Sequence, residues 1–248
     1  MPPDWDGEVV DINNLPTSWV TTPESRPLTY AEMEQNAIMF TLFFAVTTFT
    51  DRDVPHNNGV VDGLGQQDAD EYVWTPQAVA AVLGNITAES SINPSRWQND
   101  APPEDPDTSD AETGYGLVQW TPFSKYRIWA TDNYNPDEWG GWQGNGYLET
   151  RRIIYEWENE IQWMPTEQFN FDFHAFAASD RDPGYLADAF LTNYERPADP
   201  DASRELRQAW AQFWFNRVTQ AIYAGGKSTL WYWLYGFIFN KNFTGRWF

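Results

Sequence analysis

The stretch that decides the fold is TPQAVAAVLGNITAESSINP, residues 75–94 of a 248-residue chain. Thr followed by Pro is a typical helix start, because Thr caps free backbone N–H groups and Pro fits the first helical position. Apolar residues then recur three and four positions apart, at Val79, Val82, Leu83 and Ile86. This spacing predicts a helix with one face in the core. The helix should end within ESSINP, because the residue before a proline is pushed out of the helical conformation.

Glu89 continues this apolar stripe three residues after Ile86, so we expect its side chain to point toward the buried face. Partial burial disfavours a charged carboxylate and raises its pKa, which suits a general acid working near neutral pH. The alternative is a structural role, in which Glu89 caps a neighbouring element or pairs with Arg96. Helical geometry leaves both open, although the C-terminal end of a helix disfavours a carboxylate and so favours a functional reason for keeping it.

The rest of the chain predicts a mainly α fold of the α+β class, built around one core. Further helices are indicated by apolar spacing and helix-start signals at residues 29–49, 147–163, 182–193 and 202–223. GYGLVQW, residues 114–120, has the aromatic, branched and glycine residues of a short β-hairpin. The predicted boundaries are an extended N-terminal arm at 1–28, a helical domain at 29–223 and an aromatic C-terminal segment at 224–248.

The composition excludes several classes of function. Lys and Arg number 15 against 36 Asp and Glu, a net charge of −21, so a nucleic-acid partner is not expected because phosphate binding needs a basic surface. Without cysteine there is no thiolate metal site, and His56 and His174 are the only histidines, so we expect neither a metal nor a cofactor. The apolar run at 37–49 is too short for a transmembrane segment.

Aromatic residues are unusually frequent, with 15 Trp, 12 Tyr and 16 Phe. They indicate either a heavily aromatic core or a surface that stacks on sugar rings. Composition alone does not choose between these two interpretations.

Several stretches together resemble the phage tail lysozyme family of virion-associated peptidoglycan hydrolases. They are AEMEQNAIMFTLFF, WTPQAVAAVLGNITAESSINPSRWQ and GYGLVQWTPFSKY, with further support from FLTNYERPADPDASRELRQAW. The combination of Glu-Ser at 89–90 with Gly-Leu-Val-Gln at 116–119 is also similar to the Glu-Ser and Gly-Leu-Met-Gln signatures of lytic transglycosylases and goose-type lysozymes. The resemblance implies that residues 29–223 form a lysozyme-like catalytic domain with the small β-hairpin beside an active-site cleft.

The resemblance also implies roles for individual residues. Glu89 would be the catalytic acid, and the substrate-binding wall opposite it would contain Tyr115, Gly116, Gln119 and Trp120. Glycine lets a sugar approach the backbone, and the Gln119 amide suits N-acetyl groups, whereas Trp120 could equally be a core aromatic under the hairpin. We expect Ser90 and Asn93 to shape the turn that holds Glu89, with a substrate contact as the alternative.

Lysozyme chemistry usually employs a second carboxylate. The candidates lie in the acidic loop 99–113, and no spacing singles one out: Asp100, Glu104, Asp105, Asp107, Asp110 and Glu112. We select Glu112 because it is closest to the predicted hairpin. A lytic transglycosylase needs only one Glu, since the 6-hydroxyl of the sugar closes the ring, and the sequence leaves both reactions open.

The resulting hypothesis is a glycosidase at the tail tip of a bacteriophage virion. It would cut the β-1,4 bond between N-acetylmuramic acid and N-acetylglucosamine in the host envelope as the genome enters the cell. Its partners would be bacterial peptidoglycan and other phage tail proteins, to which the segment 224–248 could dock. The alternative is a structural tail component or glycan-binding module that kept a lysozyme fold without activity.

Overall fold

The structure, a computed structural model, describes residues 1–4, 6–22, 25–50 and 74–225, with no side-chain description for 46–50. Residues 51–73, and residues 226–248 of the predicted C-terminal segment, lie outside the described residues. Within the described ranges, no helix combines the length and hydrophobicity that a membrane-crossing segment requires.

The described chain is mostly helical, which confirms the mainly α prediction. Its helices are α1 Tyr30–Thr50, α2 Pro76–Ser90, α3 Ser124–Asn133, α4 Pro136–Trp139, α5 Gly146–Glu158, α6 Phe173–Ala177, α7 Pro183–Phe190 and α8 Arg204–Trp214. The last two continue into single π-helical turns at Leu191–Glu195 and Phe215–Thr219. The helices predicted at 29–49 and 75–90 are present almost as expected, whereas α5 ends five residues before the predicted boundary of 163.

Helix α2 forms as its sequence predicts and lies at the centre of the fold. The Thr75 hydroxyl accepts the Ala78 N–H at 3.1 Å, and Ser91 ends the helix in a left-handed conformation with φ 55°. Helix α2 packs against α7 and α8. The approach to α8 is close at Gly84, where a Cβ atom would lie 2.5 Å from the Arg207 carbonyl oxygen. This packing brings the end of α2 next to the side chains of α8.

The predicted hairpin at 114–120 does not form paired strands. The described residues contain only isolated antiparallel bridges there, joining Trp97 to Tyr115 and Tyr115 to Trp120. The chain turns too tightly for a ladder, because Gly116 has φ 80° and Gln119 has φ 52°. The Gly116 N–H donates to the Arg96 carbonyl instead, at 2.9 Å.

Aromatic side chains fill much of the interior. The largest fully buried ones include Trp74, Trp157, Trp214, Tyr115, Tyr126, Tyr194, Phe40, Phe44 and Phe173. Rings from different parts of the chain meet: Trp74, just before α2, lies 5.8 Å from Trp157 of α5 and 4.5 Å from Phe44 of α1, measured between centroids. Such pairs stabilise the fold beyond the area they bury. The core therefore accounts for much of the aromatic content.

Candidate functional site

A polar cleft of about 300 Å³ opens at the C-terminal end of α2. Its lining consists of Glu89, Arg96, Trp97, Gln98, Asn99, Val118, Gln119, Thr121, Glu195 and Pro197. Three chain segments thus surround Glu89: the turn after α2, the segment that replaces the predicted hairpin, and the residues that follow α7. The Glu89 side chain is 22% exposed, so it is partly buried but still reachable from solvent.

Gln119 connects two walls of this cleft. Its amide nitrogen donates to the Arg96 carbonyl at 3.1 Å and to the Gly116 carbonyl at 2.9 Å. On the other side, Gln98 accepts the Gly114 N–H through its amide oxygen at 3.0 Å. These bonds hold residues 96–98 and residues 114–119 together. Of the four residues predicted to form the wall, Gln119 is the one in the lining of the cleft.

Arg207 of α8 forms an ion pair with Glu89. Its guanidinium forms a short hydrogen-bonded ion pair with Glu89, and it also donates to the Asn85 amide oxygen at 3.0 Å and to the Ser203 hydroxyl at 2.9 Å. Arg207 is only 5% exposed, so the pair is shielded from solvent on the protein side. The partner considered from the sequence, Arg96, instead pairs with Asp100 at 2.6 Å.

Glu195, at the end of the π-helical turn after α7, is the second carboxyl of the cleft. Burial raises its pKa well above the usual value, and the negative charge of Glu89 raises it further, while Arg207 and Arg196 oppose the shift. Its Oε1 atom is shielded from solvent and has no hydrogen-bond partner among the described residues. In the sequence, Glu195 lies within the stretch FLTNYERPADPDASRELRQAW, and no role is predicted for it there.

Two aromatic residues expected in the cleft wall lie inside the protein. The Tyr115 hydroxyl accepts the Gly144 N–H at 2.6 Å, and its ring packs on Trp97 with centroids 4.3 Å apart. Trp120 stacks on Tyr126 at 5.0 Å, and its indole N–H donates to Glu156 at 3.1 Å. Both therefore support the cleft from behind, which is the core role considered for Trp120.

Ser90 and Asn93 are buried and shape the turn after α2. The Ser90 hydroxyl donates to the Leu117 carbonyl at 2.9 Å, which ties the end of α2 to the opposite wall. The Asn93 amide donates to the Thr22 hydroxyl at 2.7 Å and to the Arg26 carbonyl at 2.8 Å. These bonds match the turn-shaping role expected from the sequence.

Glu112, selected as the second carboxylate, is exposed and does not line the cleft formed by the described residues. The neighbouring Thr113 is fixed by two backbone bonds, because its N–H donates to the Ala111 carbonyl and its carbonyl accepts the Phe123 N–H. Proximity in sequence to the predicted hairpin thus does not bring its carboxylate beside Glu89.

A further carboxyl, Glu149 of α5, lies fully buried behind the segment 114–120. It accepts the Leu117 N–H at 2.6 Å, and burial raises its pKa well above the usual value. Gly116 packs directly on it, since a Cβ atom there would lie 2.6 Å from Glu149 Oε2. Glu149 therefore holds the wall of the cleft in place, and the glycine is needed for this close approach.

No group of three or more His, Cys, Asp or Glu residues in the described part of the chain is arranged to hold a metal ion.

Comparison with known proteins matches the chain to one family model and to a protein of a bacteriophage. The family model for phage tail lysozyme matches residues 70–218, more than half of the chain. The chain is 37% identical to morphogenesis protein 1 of Bacillus phage B103 over 146 residues. This matched region covers 59% of this chain and 36% of that protein. The matched part thus spans about a third of the length of that relative. Both Glu89 and Glu195 lie inside the region that the family model matches.

Proposed function

The chain belongs to the phage tail lysozyme family, and from this membership and the geometry of the cleft we propose that it cleaves the glycan strands of bacterial peptidoglycan. The observation that carries the proposal is the position of Glu89, a partly exposed carboxyl in a polar cleft of about 300 Å³. Polar side chains that converge in a cleft can fix the orientation of a bound ligand, here a glycan strand.

In the proposed reaction, Glu89 gives a proton to the oxygen of the β-1,4 bond between N-acetylmuramic acid and N-acetylglucosamine. The bond from C1 to that oxygen breaks through an oxocarbenium-like transition state. Either water then adds to C1, as in a lysozyme, or the 6-hydroxyl of the same sugar closes the ring, as in a lytic transglycosylase. The amides of Gln98, Asn99 and Gln119 line the cleft and offer donors and acceptors for N-acetyl groups.

The net charge of the chain and its family together support a proposal for where the enzyme acts. A net charge of −21 opposes the approach of a free protein to a polyanionic wall. We therefore propose that the phage particle delivers the enzyme, as a tail protein bound to other tail proteins, to the host envelope. The division into an arm at 1–28, a catalytic domain at 29–223 and a docking segment at 224–248 is part of this proposal.

A second candidate function is a structural tail component or glycan-binding module without activity. The ion pair between Glu89 and the buried Arg207 favours it, since this pair also ties α2 to α8. In that case Glu89 would serve stability alone.

The test uses purified peptidoglycan incubated with the wild-type chain or with Glu89→Gln, followed by mass spectrometry of the soluble fragments. Fragments with reducing N-acetylmuramic acid ends from the wild type only would identify a lysozyme, and 1,6-anhydro ends a transglycosylase. If the wild type is folded and releases nothing from any peptidoglycan, the enzyme proposal is wrong and the structural function takes its place.

A further inference from the structure

We propose that Glu195, which lines the cleft beside Glu89 and whose shielded Oε1 has no hydrogen-bond partner among the described residues, supplies the proton that Glu89 gives to the glycosidic oxygen, so that this pair of carboxyls is the acid of the reaction. This inference rests on the proposed function. It assigns the second carboxyl to the segment after α7 instead of the acidic loop 99–113.

The charges around the cleft support this assignment. The charges of Glu89 and Glu156 both act on Glu195, and two buried guanidiniums bind those two neighbours. Arg207 binds Glu89, and Arg152 binds Glu156 at 2.8 Å. Each guanidinium therefore neutralises one carboxylate, and Glu195 is the carboxyl that remains.

Glu195 and Glu156 also differ in the hydrogen bonds that their carboxyls accept. Burial raises the pKa of Glu156, but this carboxyl accepts bonds from the Trp120 indole, the Tyr194 hydroxyl and Arg152, all of which oppose that shift. Oε1 of Glu195 is buried and accepts no bond from any described residue. A buried carboxylate without donors is costly, whereas a protonated carboxyl carries no charge and can itself donate.

Arg196, the remaining charged neighbour, does not neutralise Glu195. Arg196 follows Glu195 directly, but its guanidinium is directed to the carbonyls of Gln162 and Asn193. Burial and the charge of Glu89 raise the pKa of Glu195, and Arg207 and Arg196 together do not cancel that shift. Both carboxyls line the same cleft, and the negative charge of Glu89 disfavours ionisation of Glu195, so one proton for the pair is favoured.

The proposed step conserves protons. The pair starts with one proton, which Glu195 holds and passes to Glu89 as the glycosidic oxygen takes a proton from Glu89. The C1–oxygen bond then breaks and leaves the pair as two carboxylates. Water or the 6-hydroxyl adds to C1, and the proton that it loses returns to the pair. Glu195 thus acts through Glu89 and is a positioning residue for its proton.

The first test is the pH dependence of peptidoglycan cleavage by the full chain. Glu195→Gln keeps the shape of the protonated side chain but cannot supply a proton, so the rate at neutral pH should fall about 100-fold or more. The alkaline limb of the pH profile should also move to lower pH, because the raised pKa of Glu195 no longer contributes to it. Glu195→Asp retains an ionisable carboxyl and should keep the limb near its wild-type position.

The matched control is Glu205→Gln, which removes an exposed carboxylate from the first turn of α8 and should leave both rate and profile unchanged. A purely structural role of Glu195 would leave the rate and profile of Glu195→Gln close to those of wild type, since glutamine packs as the protonated acid does. That result would overturn the proposal.

A second measurement does not depend on activity. The infrared difference spectrum of wild type minus Glu195→Gln at neutral pH should contain the C=O stretch of a protonated carboxyl, and absence of that band would overturn the proposal. If the wild type cleaves no peptidoglycan, the proposed function and the catalytic use of the proton both fail. The infrared band then still decides whether Glu195 carries a proton, so the two failures are distinguishable.

Discussion

Replacing the buried Glu149 by Gln should change how the free energy of unfolding depends on pH. Glu149 is 0% exposed, and burial raises its pKa well above the ordinary value of 4.5. The folded protein therefore keeps a proton on Glu149 at pH values where the unfolded chain has released it. The stability linked to this proton is fully present below pH 4.5 and is lost as the pH rises toward the pKa of the folded state.

The magnitude follows from one proton. In the window above the unfolded pKa and below the folded one, the unfolded chain binds one proton fewer, so stability falls by about 1.4 kcal/mol for each pH unit. Gln has no proton to lose and still offers an oxygen to the Leu117 N–H, which Glu149 accepts at 2.6 Å. The variant should therefore lack this part of the pH dependence, while the contributions of Glu195 and Glu156 remain in both proteins.

Urea-induced unfolding of both proteins near pH 5.5 and 6.5 measures the difference. Between the two pH values, wild type should lose about 1.4 kcal/mol more stability than Glu149→Gln. Glu205→Gln, an exposed carboxylate variant, should follow the wild type. Equal slopes for wild type and Glu149→Gln would show that Glu149 is ionised in the folded protein and refute the reasoning.

Three further substitutions test the packing around the cleft, each by urea-induced unfolding at constant pH. Gly84→Ala places a Cβ atom 2.5 Å from the Arg207 carbonyl oxygen and should cost about 1–3 kcal/mol through overpacking, so a stability equal to wild type would mean that α2 and α8 are farther apart. Arg207→Met removes the ion-pair partner of Glu89. Because the Glu89 side chain is 22% exposed and can bind water, we expect stability to fall by about 2–3 kcal/mol, less than the full cost of breaking a buried pair. Unchanged stability would contradict that pairing. Trp120→Phe deletes the 3.1 Å bond to Glu156 but keeps a ring in the core, and a loss of about 1–3 kcal/mol is expected, whereas a neutral result would argue against this bond.

Local signals in the sequence were sufficient for the central helix and its carboxyl. Thr75 and the apolar stripe predicted where α2 begins and which face it buries, and the same stripe placed Glu89 toward the core. In the structure Glu89 lines the cleft at the end of α2, and its role as catalytic acid stays a prediction. Gln119 also lines it.

The partners of Glu89 come from distant parts of the chain and were missed. Arg207 and Glu195 are separated from it by more than a hundred residues, so only the packing of α2 against α7 and α8 brings them together. A signal for Arg207 did exist, because it precedes Trp210, Ala211 and Trp214 by three, four and seven residues, on the buried stripe of α8. The logic that selected Glu89 would have selected Arg207.

The predicted hairpin had the right composition for strands but not the right backbone. Strand propensity reflects packing on a pleated surface and is easily overridden by tertiary contacts. Here the Leu117 N–H is bound by Glu149 and the Gly116 N–H by Arg96, so these donors are not available for a ladder. Neither contact can be inferred from the segment 114–120 by itself.

The central claim, that Glu89 is the acid of a glycan-cleaving cleft, is tested most directly by the initial rate of fragment release from labelled peptidoglycan. Glu89→Gln can still accept a hydrogen bond from Arg207, so it should fold, as circular dichroism and urea unfolding can verify. We predict a rate at least about 100-fold below wild type, with Glu205→Gln at the wild-type rate. A folded Glu89→Gln protein that releases fragments as fast as wild type would contradict the claim.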